Sequence, residues 1–122
     1  MKETGTDIAS KVPCYQLKHP NSTIQMPAIG FGLYKVDDTE KVTVAALQAG
    51  YRHFDGASFY ENEDTFGATL KKHKISRNEV FITSKVWNDM QGYDKTIESF
   101  NKSLKDLDTE YIDLYLVHWP VP

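Results

Sequence analysis

The chain has 122 residues, of which 40% are hydrophobic and 25% are charged, and its net charge at pH 7 is −3. This composition is that of an ordinary globular domain and excludes the disordered, collagen-like and coiled-coil classes. The negative charge argues against a nucleic-acid partner, and the sequence has no run of about 18 apolar residues that could span a membrane. One cysteine, Cys14, and a start without the apolar run of a signal peptide favour a reducing compartment, so we expect a cytoplasmic protein.

The first residues, 1–14, are mostly polar and are expected to form a flexible segment before the folded part of the chain, 15–122. Two strand-like runs follow, at 15–18 and 23–26, and the turn-forming sequence His-Pro-Asn-Ser separates them. This arrangement predicts a β-hairpin at the start of the fold.

After the hairpin, strand-like runs alternate with helical patterns. Short apolar runs predict four strands, at 29–34, 51–55, 80–84 and 112–117. Helical periodicity and helix-ending residues predict three helices between them, at 37–50, 63–73 and 93–107. The order β-α-β-α-β-α-β indicates right-handed βαβ units and a parallel sheet, which is the α/β fold class.

The spacing of apolar residues also predicts how these elements pack. The spacing from Asp37 to Glu40 suits a helix start, and the apolar face of the first helix comprises Val42, Ala45, Ala46 and Ala49. Spacings of 4, 3, 4 and 3 define the apolar face of the third helix, which comprises Tyr93, Ile97, Phe100, Leu104 and Leu107. The last strand, 112–117, is mostly apolar and is expected to be buried on both faces.

Ionisable residues follow three of the predicted strands. Asp55 closes the second strand, and Tyr60 lies five residues further on. Lys85 follows the third strand, and His118 follows the fourth. Taken singly, these residues have ordinary interpretations: a turn aspartate, a packed tyrosine, a solvated lysine and a structural histidine. Because the carboxyl ends of parallel strands meet at one rim of a sheet, we expect the four side chains to converge.

A tyrosine, a lysine, an aspartate and a histidine in one place form a plausible proton donor. A free phenol has a pKa near 10, and an adjacent ammonium favours the phenolate and so makes proton donation easier. An aspartate keeps the lysine charged and fixed, and a histidine N–H can orient a carbonyl oxygen. The four histidines show no metal-ligand spacing and there is one cysteine, so no metal site is expected. Gly30-Phe31-Gly32 is only part of a dinucleotide-binding fingerprint.

Four segments of the sequence resemble motifs of the aldo-keto reductase family. Residues 26–32, Met-Pro-Ala-Ile-Gly-Phe-Gly, resemble the family's opening barrel strand, and residues 50–63 resemble its first signature. The ends of the next two strands, at 83–87 and 111–120, also match, and they occur in the family's order. The resemblance extends from about Tyr15 onward. Residues 87–93 resemble the branch that holds prostaglandin F synthase-like and diketogluconate reductase-like enzymes.

The resemblance implies a (β/α)8 TIM barrel, of which this chain holds an N-terminal hairpin, about four strands and three helices. It implies NADPH-dependent reduction of a small aldehyde or ketone to an alcohol by hydride transfer. Tyr60 is the expected general acid, with Lys85 and Asp55 adjusting it and His118 orienting the carbonyl group. The expected substrate-binding residues are His118, Trp87, Trp119 and Tyr34, and the expected cofactor-binding residues are Asp55, Leu33 and Tyr34. For the three aromatic residues, plain core packing is the alternative.

Two features depart from the family pattern. Leu33-Tyr34 stands where Thr-Trp is commoner, so the nicotinamide side of the site differs in detail. Barrels of this kind need eight strands and roughly 250 residues, and this sequence matches four strands. On that count we expect the isolated chain to have little reductase activity and to lack the main cofactor site. We also expect strand 112–117 to have one unpaired edge through which the chain self-associates.

Two other interpretations remain open at this point. The chain could be a non-catalytic half-barrel interaction module that pairs with another chain, with the four polar residues retained without function. Alternatively, it could be an unrelated four-stranded α/β binding domain that mimics the motifs, in which case Tyr60 has no role.

Overall fold

The computed structural model describes residues 12–122. The expected flexible segment, 1–14, therefore lies almost entirely outside the described residues. None of the helices in the described part of the chain is long and apolar enough to cross a lipid bilayer.

The described part of the chain begins with the predicted hairpin, β1 (Cys14–His19) and β2 (Ser22–Pro27). The two strands are antiparallel, with Cys14 opposite Pro27. His53 links this hairpin to the main sheet, because its Nδ1 lies 3.3 Å from the Pro27 carbonyl oxygen and its Nε2 lies 2.8 Å from Thr83 Oγ1. The hairpin thus lies against the amino ends of the main strands.

Four parallel strands form the main sheet in chain order. They are β3 (Phe31–Gly32), β4 (His53–Asp55), β5 (Phe81–Val86) and β6 (Leu114–Val117). In register, Gly32 pairs with Asp55, Asp55 with Thr83, and Thr83 with Leu114. The carboxyl ends of all four strands therefore lie along one rim, as the alternating pattern predicts.

Three helices connect the strands: α1 (Thr39–Ala49), α2 (Glu63–Lys72) and α3 (Tyr93–Leu107). Between helices and sheet lies an apolar core centred on Phe54, which is fully buried. Helices α2 and α3 approach each other closely at Gly67, where an added Cβ would lie 2.3 Å from the Leu107 carbonyl oxygen. The predicted fold class, an α/β fold with a hairpin, four parallel strands and three helices, is confirmed.

The predicted apolar face of α1 is wrong in part: Ala46 is buried and Val42 packs against the core, but the helix is turned so that the other two predicted residues are exposed. Its N-cap is Asp38, not Asp37, and the Asp38 carboxylate accepts a hydrogen bond of 3.0 Å from the Lys41 backbone N–H. Leu47 is the largest apolar side chain of the helix interior, and burying it turns the alanines Ala45 and Ala49 toward solvent. The buried residues are Thr39, Thr43, Ala46 and Leu47.

The predicted burial of α3 and β6 is also wrong in part. Leu107 is buried as predicted, but Tyr93 is 85% exposed and Ile97 45% exposed, and the other buried residues of α3 are Ser99 and Ser103. At the outer edge of the sheet, Leu116 and Val117 are exposed, whereas burial on both faces was predicted. An apolar surface therefore runs along this side of the described chain.

The side chain of Glu63 explains why Ser103 faces inward on α3. Ser84 Oγ of β5 donates a hydrogen bond of 2.6 Å to one carboxylate oxygen, and Ser103 Oγ of α3 donates one of 2.8 Å to the other. Glu63 thus joins α2, β5 and α3 through one buried group. Burial raises the pKa of the Glu63 carboxyl above its ordinary value, and the serine hydrogen bonds oppose this only in part.

Glu63→Gln is expected to remove a pH dependence of stability. Because the folded-state pKa lies above the unfolded value, the stabilising contribution of Glu63 is complete below the unfolded pKa and is lost as pH rises through the folded pKa. The free energy of unfolding of the parent, minus that of E63Q, should therefore fall as pH rises above the ordinary carboxyl pKa and through the raised pKa of folded Glu63. Urea unfolding of both proteins at several pH values measures this difference, in which the other ionisable groups cancel. A constant difference would contradict the prediction.

Glu63→Ala, which leaves buried hydroxyls unpaired, should lower the free energy of unfolding by about 1–3 kcal/mol.

Candidate active site

Lys85 and Asp55 form the centre of the rim. Lys85 lies two residues beyond Thr83, the partner of Asp55, so both side chains point to the same side of the sheet. Lys85 Nζ donates to Asp55 Oδ1 at 2.9 Å, to Asp55 Oδ2 at 2.8 Å, and to the Gly56 carbonyl oxygen at 2.8 Å. The lysine side chain is 12% exposed. The ammonium group is therefore held in one position by oxygen acceptors on adjacent residues.

Tyr60 lies next to this ammonium group, at the end of a 3₁₀ turn that comprises Ser58–Tyr60. Ser58 Oγ donates a hydrogen bond of 3.2 Å to the Lys85 carbonyl oxygen, which attaches the turn to β5. The Tyr60 hydroxyl oxygen lies 3.4 Å from Lys85 Nζ. The turn therefore places the phenol and the ammonium group side by side.

His118 completes the group of four predicted residues. It follows β6, and its backbone N–H donates a hydrogen bond of 3.1 Å to the Val86 carbonyl oxygen. The imidazole meets the Tyr60 ring edge-on, with centroids 5.6 Å apart, and the Trp87 ring edge-on at 5.1 Å. Asp55, Tyr60, Lys85 and His118 thus converge on one rim, as predicted from the strand ends.

The surroundings of His118 lower its pKa and so favour the neutral form of the imidazole. Burial is the largest cause that lowers the pKa of His118, and the Lys85 ammonium lowers it further, while Asp55 opposes both. A neutral imidazole carries one ring N–H and can donate one hydrogen bond to an oxygen atom. His118 Nδ1 is buried and has no hydrogen-bond partner within residues 12–122.

The three predicted aromatic residues, Tyr34, Trp87 and Trp119, differ in their contacts and in their exposure. The Tyr34 ring lies 5.0 Å from that of Tyr60 and is 52% exposed, so it borders the phenol on the open side. Trp87 lies against His118, whereas Trp119 is 56% exposed and its carbonyl oxygen accepts a hydrogen bond from Gln91 Nε2.

Leu33 approaches the rim through its backbone only. Its side chain is 2% exposed and lies in the core. Its N–H donates to the Asp55 carbonyl oxygen at 3.0 Å, and its carbonyl oxygen accepts from Asn62 Nδ2 at 3.0 Å. Any contact of Leu33 with a molecule at the rim therefore involves main-chain atoms.

Sequence reasoning gave no role to Phe59, which the structure places at the rim. Its ring stacks on Trp87, with centroids 3.9 Å apart and planes inclined by 21°. The signal that could have identified it is its position, directly before Tyr60 in a turn that presents successive side chains at the same rim.

The arrangement can transfer a proton to an oxygen atom at the rim. The Tyr60 phenol is a donor with a fixed positive charge 3.4 Å from its hydroxyl oxygen, and the imidazole of His118 meets the same ring edge-on, with centroids 5.6 Å apart. An oxygen atom that accepts from both groups is held in line with the phenol proton. The chemistry is therefore that of a general acid with an orienting partner.

Comparison with known proteins gives a consistent result. Residues 28–122 match the sequence profile described as "Aldo/keto reductase family". The chain is 46% identical over 100 residues to the glyoxal reductase of Bacillus subtilis, covering 80% of this chain and 36% of that protein. It is 43% identical over 103 residues to the 9,11-endoperoxide prostaglandin H2 reductase of Trypanosoma cruzi, covering 82% of this chain and 36% of that protein.

The fold also matches a solved structure. The crystal structure of an aldo/keto reductase from Brucella melitensis matches with a TM-score of 0.79 and 40% identity, covering 88% of this chain and 42% of that chain. The chain thus spans about two fifths of the length of the relatives that it matches. Together, the profile match and these similarities confirm the resemblance that the motifs indicate.

Proposed function

The chain belongs to the aldo/keto reductase family, and on that premise we propose that its rim carries the catalytic residues of an NADPH-dependent carbonyl reductase. The observation that supports this most directly is the position of Lys85 Nζ, held by Asp55 and Gly56 at 3.4 Å from the Tyr60 hydroxyl. The substrate is a small aldehyde or ketone, the class named by the glyoxal reductase relative.

Each of the four residues has one task in this proposal. Tyr60 donates its hydroxyl proton to the carbonyl oxygen as that oxygen becomes an alkoxide. The Lys85 ammonium stabilises the phenolate that remains, and Asp55 holds the ammonium in place. The N–H of His118 binds the carbonyl oxygen and keeps it beside the phenol.

The residues around the phenol fit a nicotinamide ring. The half-exposed ring of Tyr34 gives a flat face 5.0 Å from Tyr60, and the Asp55 side chain, 41% exposed, binds the Lys85 ammonium beside the same phenol. We propose that Tyr34, Asp55 and the main chain of Leu33 contact the nicotinamide. When bound there, NADPH supplies the hydride that reduces the carbonyl carbon. In this proposal Trp87, Trp119 and Tyr34 line the substrate side.

A chimeric barrel tests the proposal. The chimera is the Bacillus subtilis glyoxal reductase in which the matched residues of the present chain replace the corresponding segment. We expect NADPH oxidation with glyoxal and with an aromatic aldehyde, because residues 15–122 are proposed to serve as the amino-terminal part of the barrel domain. A folded chimera that binds NADPH but turns over neither substrate would sink the proposal.

The exposed edge of β6 favours a second candidate function. Leu116 and Val117 are 40% and 57% exposed on an edge strand, where proteins usually place charges or cover the strand. We propose as the alternative a non-catalytic module whose β6 edge pairs with another chain, such as a second copy of itself. Sedimentation of the 122-residue chain should then show a dimer, and Val117→Lys should shift it to monomer. A parent chain that sediments as a monomer at all concentrations would count against this candidate.

A further inference from the structure

Three aromatic side chains surround the imidazole of His118. Tyr60 and Trp87 meet it edge-on, at 5.6 Å and 5.1 Å between centroids, and Phe59 does so at 6.3 Å. We call Phe59, Tyr60 and Trp87 the aromatic bracket. Phe59 differs from the other two because it also stacks on Trp87 at 3.9 Å. It therefore contacts both the imidazole and the indole that borders the imidazole.

Within the described residues, the aromatic bracket supplies ring contacts to an imidazole that is poorly held by hydrogen bonds. His118 Nδ1 is buried without a hydrogen-bond partner, so no polar contact at that atom fixes the rotation of the ring. Edge-to-face contacts between aromatic rings are directional, and three of them restrict the ring plane. The orientation of His118 therefore depends on where Trp87 and Phe59 lie.

Phe59 is also attached to the general acid. It precedes Tyr60 in the 3₁₀ turn, and the hydrogen bond from Ser58 Oγ to the Lys85 carbonyl oxygen holds that turn on β5. Trp87 follows the end of β5. The stack of Phe59 on Trp87 thus joins the turn to the segment after β5, directly beside His118.

We propose that Phe59 is a positioning residue, which stacks on Trp87 and thereby holds the imidazole of His118 in contact with Tyr60. The consequence for catalysis rests on the function proposed above, whereas the effect on the imidazole does not. The charged and titratable groups that face His118 are Lys85 and Asp55 from the sheet and Tyr60 from the turn. None of them is changed by a substitution at Phe59.

The test compares Phe59→Leu with Phe59→Tyr in the 122-residue chain. Leucine keeps an apolar side chain but cannot stack, whereas tyrosine keeps the ring. The ring proton signals of His118, assigned by their loss in His118→Asn, are followed by NMR as pH is varied. In F59L the titration midpoint should rise by about half a pH unit, because water reaches a ring whose burial otherwise lowers its pKa. In F59Y the midpoint should stay at the parent value.

An equal midpoint in the parent, F59L and F59Y would overturn the proposal. A second measurement needs no variant: nuclear Overhauser contacts between the His118 and Trp87 ring protons are expected in the parent, and their absence also overturns it. In the active chimera, F59L should lower kcat several-fold with little change in KM, and F59Y should restore it. If the chimera is inactive, the proposed function fails, while the titration still decides the role of Phe59.

Discussion

Tyr60→Phe should abolish carbonyl reduction in the chimeric reductase while leaving NADPH binding intact. The substitution removes one oxygen atom, and the phenylalanine ring keeps the contacts that Tyr60 makes with Tyr34 and His118. General acid catalysis contributes roughly 10²–10⁴-fold to a rate, so we expect kcat to fall by about that factor. Steady-state kinetics with glyoxal, together with a fluorescence titration of NADPH, measure the two effects separately.

A matched control for Tyr60→Phe is Tyr93→Phe. Tyr93 is 85% exposed at the start of α3, so the same chemical change there should leave kcat unaltered. If Y60F retained most of the parent kcat, Tyr60 would not be the proton donor. If instead Y60F lost NADPH binding as well, the phenol would act in cofactor binding, and the loss of rate would say nothing about acid catalysis.

The sequence predicts the placement of the proposed catalytic residues better than it predicts packing. Parallel strands have a fixed polarity, so residues that follow them must meet at one rim, and Asp55, Lys85 and His118 do so. Local rules also identify the end of α1, where Gly50 adopts a positive φ of 101°. These predictions succeed because each depends on a short stretch of chain or on the topology alone.

Side-chain direction in α1 and α3 depends on neighbours that no local pattern contains. The period of α3 favours a face with Tyr93 and Ile97, but the buried carboxylate of Glu63 needs donors, and Ser103 supplies one. Burying a carboxylate without hydrogen bonds costs more than exposing apolar side chains. The helix therefore presents Ser103 inward, and Ser99, one turn earlier, contacts the Tyr115 hydroxyl at 3.1 Å. The contact of Phe59 with Trp87 is equally non-local, because it joins a turn after β4 to the end of β5.

Lys85→Met should reduce the rate about as strongly as the loss of the phenol. Methionine has a similar length, but it carries no charge beside the Tyr60 hydroxyl, which lies 3.4 Å from Lys85 Nζ in the parent. Without the ammonium, the phenolate left after proton donation has no counter-charge, so kcat should fall by roughly 10²–10⁴-fold. The measurement is kcat at neutral pH for the chimera and its variants. Lys105→Met, on the outer face of α3, is the control for the loss of one positive charge. An unchanged kcat in K85M would remove Lys85 from the role of stabilising the phenolate and leave it only the task of holding Asp55.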